Sequence, residues 1–158
     1  MSKHRVLIVA NRGIDSPELI EGLLRRGAVD SARVTLLVPA VPHGLAWAAD
    51  MKAGWSEAMD RAEAAAEHLR SAGIEFDGAI VGDPDPFAAA GDVLHSLDFD
   101  EVIVATPPPG VSAWLRPSLA GRLRGETSLP VAEMTIHPRQ ERPVTRLREA
   151  VGALSSAP

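Results

Sequence analysis

Val6-Leu7-Ile8-Val9-Ala10, followed by Ser16-Pro17-Glu18 and then by apolar Leu19, Ile20, Leu23 and Leu24 before Gly27, decides the fold. An unbroken apolar run rich in β-branched residues suits a strand covered on both faces, as in a parallel sheet. Ser16 has the chemistry of a helix N-cap, Pro17 suits the first helical position, and the four apolar residues that follow share one helix face. The stretch therefore reads as a strand that hands over to a helix.

The same signature recurs along the chain. Val34-Thr35-Leu36-Leu37-Val38 is a second strand, stopped by Pro39 and Pro42. Residues 39 to 54 show no clear period. From Ser56 to Arg70 the chain is rich in Ala and Glu, with Met59, Ala62, Ala66 and Leu69 on one helical face, and Gly73 is a stop signal. Residues 74 to 82 form a third strand in which Asp77-Gly78 marks a bulge or early turn. Asp85 as N-cap and Pro86 at the first position open a helix with Phe87, Ala90, Leu94 and Leu97 inside. Val102-Ile103-Val104-Ala105 is the fourth strand; Leu115, Leu119 and Leu123 mark a helix running to about Gly125; and residues 130 to 136 form the fifth strand.

Strands alternating with helices at this spacing specify a three-layer α/β/α domain around a five-stranded parallel sheet with right-handed crossovers. Residues 1 to 137 are expected to form that domain, and residues 138 to 158 a polar, basic tail, disordered or marginally helical. In such sheets ligands bind beyond the carboxyl ends of the strands, where strand order reverses, so the informative loops follow the first and fourth strands.

Composition narrows the function classes. The 158 residues are 46% hydrophobic and 23% charged, within the range of one soluble domain, and aromatics at 4% leave an aliphatic core. Without cysteine there are no disulfides, thiolate metal sites or cysteine nucleophiles. The five apolar residues after Arg5 are too few for a signal peptide, and no stretch approaches a membrane span, so a cytoplasmic protein without membrane contact is expected. A net charge of −5 gives no overall attraction for nucleic acid. The arginines between Arg116 and Arg148 read as a solvated helix face and a basic tail.

Other chemistry is poorly supported. Gly110-Val111-Ser112 lacks the second glycine of a nucleophile elbow. The five histidines are scattered singly, so no metal site is expected. Asp83 and Asp85 at a strand-to-helix junction read as capping carboxylates, and Trp47 and Trp55 as core filling ahead of a pocket or subunit contact.

Gly82-Asp83-Pro84, the helix after it, Asp98-Phe-Asp-Glu-Val-Ile-Val-Ala105, a loop, a short helix and Leu129-Pro130-Val131 together resemble the second half of a universal stress protein domain. The order of elements matches over residues 4 to 136. The resemblance implies an adenine-nucleotide α-hydrolase-like topology with strand order 3-2-1-4-5, a role in stress physiology, and adenine-nucleotide binding with ATP and magnesium as the candidate ligands.

In nucleotide-binding members the loop after the fourth strand resembles Gly-x-x-Gly followed later by Gly-Ser or Gly-Thr, whose amides approach the phosphates. Here that loop opens at Ala105-Thr106, runs through Pro107-Pro108-Pro109 to Gly110 and places Pro117-Ser118 where Gly-Ser would stand. Proline has no N–H to donate, so ATP binding is expected to be weakened or absent. The matching positions give Asn11 where the family carries an acidic residue, Val38 as a backbone contact to a base, Thr106, Gly110 and Ser118 as the candidate site, to which Arg12 and Arg116 add cationic donors. In one arrangement Arg12, Arg116 and Ser118 replace the lost amides. In the other, preferred here, the loop is a rigid turn packing Trp114 on the sheet.

The resemblance also implies a homodimer through the last strand, with Val131, Glu133, Met134 and Ile136 at the edge. The leading expectation is thus a dimeric binding or regulatory module without efficient catalysis. One alternative is a weak ATP hydrolase working in the cleft after strands one and four. The other is an adaptor whose basic tail, Arg139 to Arg148, contacts an acidic partner.

Overall fold

The computed structural model describes residues 2–10, 13–40, 47–108 and 118–137. Its order of elements is β1 (His4–Val9), α1 (Pro17–Arg25), β2 (Ala32–Pro39), α2 (Trp47–Ser71), β3 (Glu75–Gly82), α3 (Pro86–Ser96), β4 (Glu101–Thr106), α4 (Leu119–Glu126) and β5 (Val131–Thr135). All neighbouring strands pair in parallel, and the sheet order is β3-β2-β1-β4-β5. The sequence expectation for topology is met.

Two aliphatic cores sandwich the sheet. On one face Val6, Ile8, Val34, Leu36 and Ile103 meet Leu19 and Leu23 of α1 and Ala58, Ala62, Ala65 and Leu69 of α2. On the other Leu7, Val9, Leu37, Val102 and Val104 meet Ala89, Ala90 and Val93 of α3 and Ala120 and Leu123 of α4. Odd and even residues of β1 thus feed opposite cores, the period-two alternation of a strand buried on both faces.

Local chemistry fixes the joints. Ser16, Asp85 and Ser118 are the N-caps of α1, α3 and α4, and Pro17 and Pro86 stand at the helix starts where a missing N–H costs nothing. Asp85 Oδ1 accepts from the Phe87 N–H at 3.0 Å, and Asp83 Oδ1 from the Asp85 N–H at 2.8 Å, so both carboxylates serve the turn. Asp77 is the bulged residue of β3: Val34 is registered with Phe76, and Thr35 with Gly78. Its carboxylate accepts from Arg33 Nε at 2.9 Å, which holds the kink against β2.

Several expectations need correcting. Helix α2 begins at Trp47, well before Ser56, because the Ala-rich stretch from residue 48 carries enough helix propensity to continue through Gly54. Its inner face is Gly54, Ala58, Ala62, Ala65, Ala66 and Leu69, whereas Met59 is exposed. Trp55 is 51% exposed, so it does not fill the core. Leu24 and Leu97 are exposed as well, while Val93, outside the expected stripe, is buried. Helix α3 ends at Ser96, which leaves Leu97 to the extended connection.

Candidate functional site

Strands β1 and β4 lie side by side, yet the chain leaves β1 toward β2 and leaves β4 toward β5. That divergence opens the sheet at the carboxyl ends of the two central strands, the place where α/β sheets of this kind bind ligands. Described residues there are Ala10 and residues 13–18 after β1, Thr106, Pro107 and Pro108 after β4, and Ser118 at the start of α4.

On the β1 side, Gly13 takes a φ of 83°, a left-handed conformation that favours glycine, and turns the chain into α1. The Ser16 N–H donates to the Gly13 carbonyl at 2.9 Å. Ser16 is only 2% exposed, and among the described residues its hydroxyl has neither a capping bond nor any other hydrogen-bond partner. A buried hydroxyl without a partner is unusual, since desolvation is then uncompensated. The sequence marked Ser16 as a cap but gave no sign that its oxygen would be idle.

On the β4 side, the Thr106 carbonyl accepts from the Ile136 N–H at 2.8 Å, which zips the end of β5 onto β4. The Thr106 hydroxyl lies 3.5 Å from Glu133 Oε1. Ser118 uses its hydroxyl to accept from the Gly121 N–H at 3.1 Å, so one N-terminal amide of α4 is already satisfied. Pro107 and Pro108 contribute no N–H, as the sequence implied.

The candidate residues are therefore brought together only in part. Thr106 and Ser118 stand at the two ends of the loop between β4 and α4. Val38 has a fully buried side chain in the core and is registered with Val81, so only its backbone is left for a ligand, and that backbone lies within β2. Asn11, Arg12, Gly110 and Arg116 lie outside the described residues, as do Ser112 and Trp114.

The edge residues also separate. Ile136 is fully buried, and Met134 folds inward against α1, where a β-carbon on Gly22 would stand 2.7 Å from its Sδ. Val131 is half-buried, and its carbonyl accepts from the Arg124 guanidinium at 3.1 and 3.2 Å. Glu133 alone of the four is exposed.

Just behind the cleft, Glu18 in the first turn of α1 accepts from the His137 N–H at 2.9 Å and approaches His137 Nδ1 at 3.0 Å. These bonds, led by the one from the imidazole, hold the Glu18 carboxyl below its ordinary pKa. The contact ties the end of the last strand to α1, a pairing across 119 positions that sequence spacing does not reveal.

At the opposite end of the sheet a cleft of about 370 Å³ is lined by His4, Leu23, Arg26, Val34 and Glu101, among others. Its charges serve one another: Glu101 accepts from the Arg26 guanidinium and lies 3.2 Å from His4 Nε2. Among the described residues, no three His, Asp or Glu side chains converge to hold a metal ion, and no helix is long and apolar enough to cross a membrane.

No protein-family model and no curated protein matches the chain. Solved structures do. A universal stress protein family protein from Arabidopsis thaliana with AMP bound aligns with a TM-score of 0.55 at 13% identity, over 89% of this chain and 96% of that one. A universal stress protein in complex with cAMP gives 0.56 at 16%, covering 87% and 99%. The universal stress protein from Archaeoglobus fulgidus gives 0.57 at 17%, covering 84% and 98%. The fold is that of the universal stress proteins.

Proposed function

We propose that the chain is a universal-stress-protein-like binding and regulatory module of stress physiology, with its ligand site in the cleft beyond β1 and β4. The observation that supports this reading is the order β3-β2-β1-β4-β5, in which the strand order reverses between β1 and β4. Two structures of the same fold, with AMP in one and cAMP in the other, point to an adenine compound as the ligand class.

ATP itself is a poor fit. Two consecutive prolines follow Thr106 where amide donors would be needed, a third stands next in the sequence, and the Ser118 hydroxyl is engaged with its own helix. Magnesium-dependent hydrolysis would fall to Arg12 and Arg116 as the remaining cations, and regulation by binding needs neither. Calorimetric titration of nucleotide-stripped protein with ATP and magnesium tests the point. A Kd on the order of 1 mM or weaker agrees with the reading, and saturable micromolar binding contradicts it.

Assembly completes the proposal. Strand β5 is a sheet edge, and two copies pair there. Arg124 covers the Val131 carbonyl, so the pairing centres on Glu133 and Thr135. A Thr135→Pro variant, lacking an edge N–H, then sediments as a monomer while the parent sediments as a dimer; equal behaviour of the two places the contact elsewhere.

A further inference from the structure

Helices α3 and α4 cover the same face of the sheet and leave a groove of about 400 Å³ between them. Its floor is apolar, made by Phe87, Leu94 and Leu123, and its rims carry Asp92 of α3 and Glu126 of α4. Both acidic residues are exposed, and neither carboxylate has a cation partner among the described residues. The two arginines of α4 are already engaged: Arg124 bonds the Val131 carbonyl, and the Arg122 guanidinium lies 4.0 Å from the centre of the Phe87 ring.

Gly91 widens the groove. It stands inside α3, where glycine weakens a helix relative to alanine, yet a β-carbon on it would meet nothing within 4 Å. Packing among the described residues thus gives no reason for the missing side chain, and the space it leaves belongs to the groove.

Residues 138–158 lie outside the described residues, but their sequence complements this surface. Val144, Leu147, Val151 and Leu154 recur at the spacing of one helical face, and the segment holds four arginines against two glutamates. An apolar stripe among basic residues matches an apolar floor between acidic rims, the way an amphipathic helix fits a groove. The reach is sufficient. Strand β5 ends where Ile136 bonds the Thr106 carbonyl, at the end of the sheet from which α4 starts. The eight residues of α4 span roughly 12 Å, and the six residues from Pro138 to Pro143 extend to roughly 20 Å, so Val144 can pass the far end of α4.

We propose that residues 138–158 dock into the α3–α4 groove of their own chain, with the apolar stripe on Phe87, Leu94 and Leu123 and the arginines toward Asp92 and Glu126. The proposal does not depend on the ligand site beyond β1 and β4. A groove of this size holds a free peptide only weakly, with a Kd on the order of 1 mM, but a short tether supplies an effective concentration of similar size, so the docked form is about half populated. An acidic partner of the tail must then compete with the chain's own groove.

The test is paramagnetic relaxation enhancement on the full chain. The sequence has no cysteine, so Ser155→Cys offers a single attachment point for a nitroxide. Strong broadening is expected at the Gly91, Asp92, His95, Glu126 and Thr127 amides, with Glu63 and Glu67 of α2, on the opposite face of the sheet, left sharp. Leu147→Asp combined with Val151→Asp is expected to abolish the broadening, and Asp92→Lys combined with Glu126→Lys to cut it severalfold, as high salt does in the parent. Gly91→Leu places a better helix former in open space, so it is expected to keep the fold and displace the tail. Groove amides that stay sharp in the labelled parent overturn the proposal. Broadening that survives Leu147→Asp with Val151→Asp overturns it as well, since the apolar stripe then has no role. Broadening passed from a nitroxide-bearing chain to an isotope-labelled chain without the nitroxide overturns it by making a second copy the occupant.

Discussion

Gly82, the last residue of β3, sits so close to Ala89 of α3 that a β-carbon on it would stand 2.8 Å from Ala89 Cβ and 3.0 Å from Leu37 Cδ1. The contact seats the start of α3 on the sheet and gives the Gly82-Asp83-Pro84 turn a steric reason for its glycine. Neither neighbour can move far, since Ala89 has no rotamer and Leu37 is fully buried. Gly82→Ala is therefore expected to destabilise by about 1–3 kcal/mol in denaturant unfolding. Gly22→Ala offers a control: its clash is with the flexible end of Met134, and alanine gains about 1 kcal/mol in a helix, so that variant should stay within about 1 kcal/mol of the parent.

Replacing an N-cap serine by alanine ordinarily costs about 1 kcal/mol. At Ser16 the sign should invert. Its hydroxyl makes no capping bond and is buried without a partner among the described residues, so the substitution removes an uncompensated desolvation cost of about 1–3 kcal/mol. Thermal unfolding of ligand-free Ser16→Ala is expected about 3 °C higher than the parent. An unchanged or lower midpoint would mean that the hydroxyl is satisfied in solution.

The architecture was legible because each strand is a short apolar run and two helix starts carry their own punctuation, Ser16-Pro17 and Asp85-Pro86, whereas the Ser118 cap of α4 was not read as one. Even the bulge at Asp77 was announced by Asp-Gly. The start of α2 was missed because Pro39, Pro42, Gly44 and Gly54 suggest a break, whereas the alanines between residues 48 and 53 outweigh a single helical glycine. Site chemistry was harder to read. Thr106 and Glu133 meet only through the β4–β5 register, and Glu18 meets His137 only through the packing of α1 beside β5. Ile136 read as an edge residue, yet its side chain turns into the core.

The Glu18 carboxyl is depressed below its ordinary value of 4.5, first by the His137 imidazole and then by the His137 N–H. A depressed carboxyl contributes stability that is present above the unfolded pKa and is lost as pH falls through the folded value. Carbon-detected NMR titration should place the Glu18 midpoint below 4.5, and His137→Ala should move it only part of the way back because the backbone bond survives. A midpoint at 4.5 in the parent would mean that the contact is absent in solution.

The most direct test of the ligand site is a backbone amide NMR titration with adenosine. A site beyond β1 and β4 predicts saturable shifts centred on the loops after those strands, among them residues 13–18, Thr106, Ser118 and Gly121, with His4, Arg26 and Glu101 at the opposite end unmoved. Shifts centred on that opposite end, or none up to millimolar adenosine, would contradict the account.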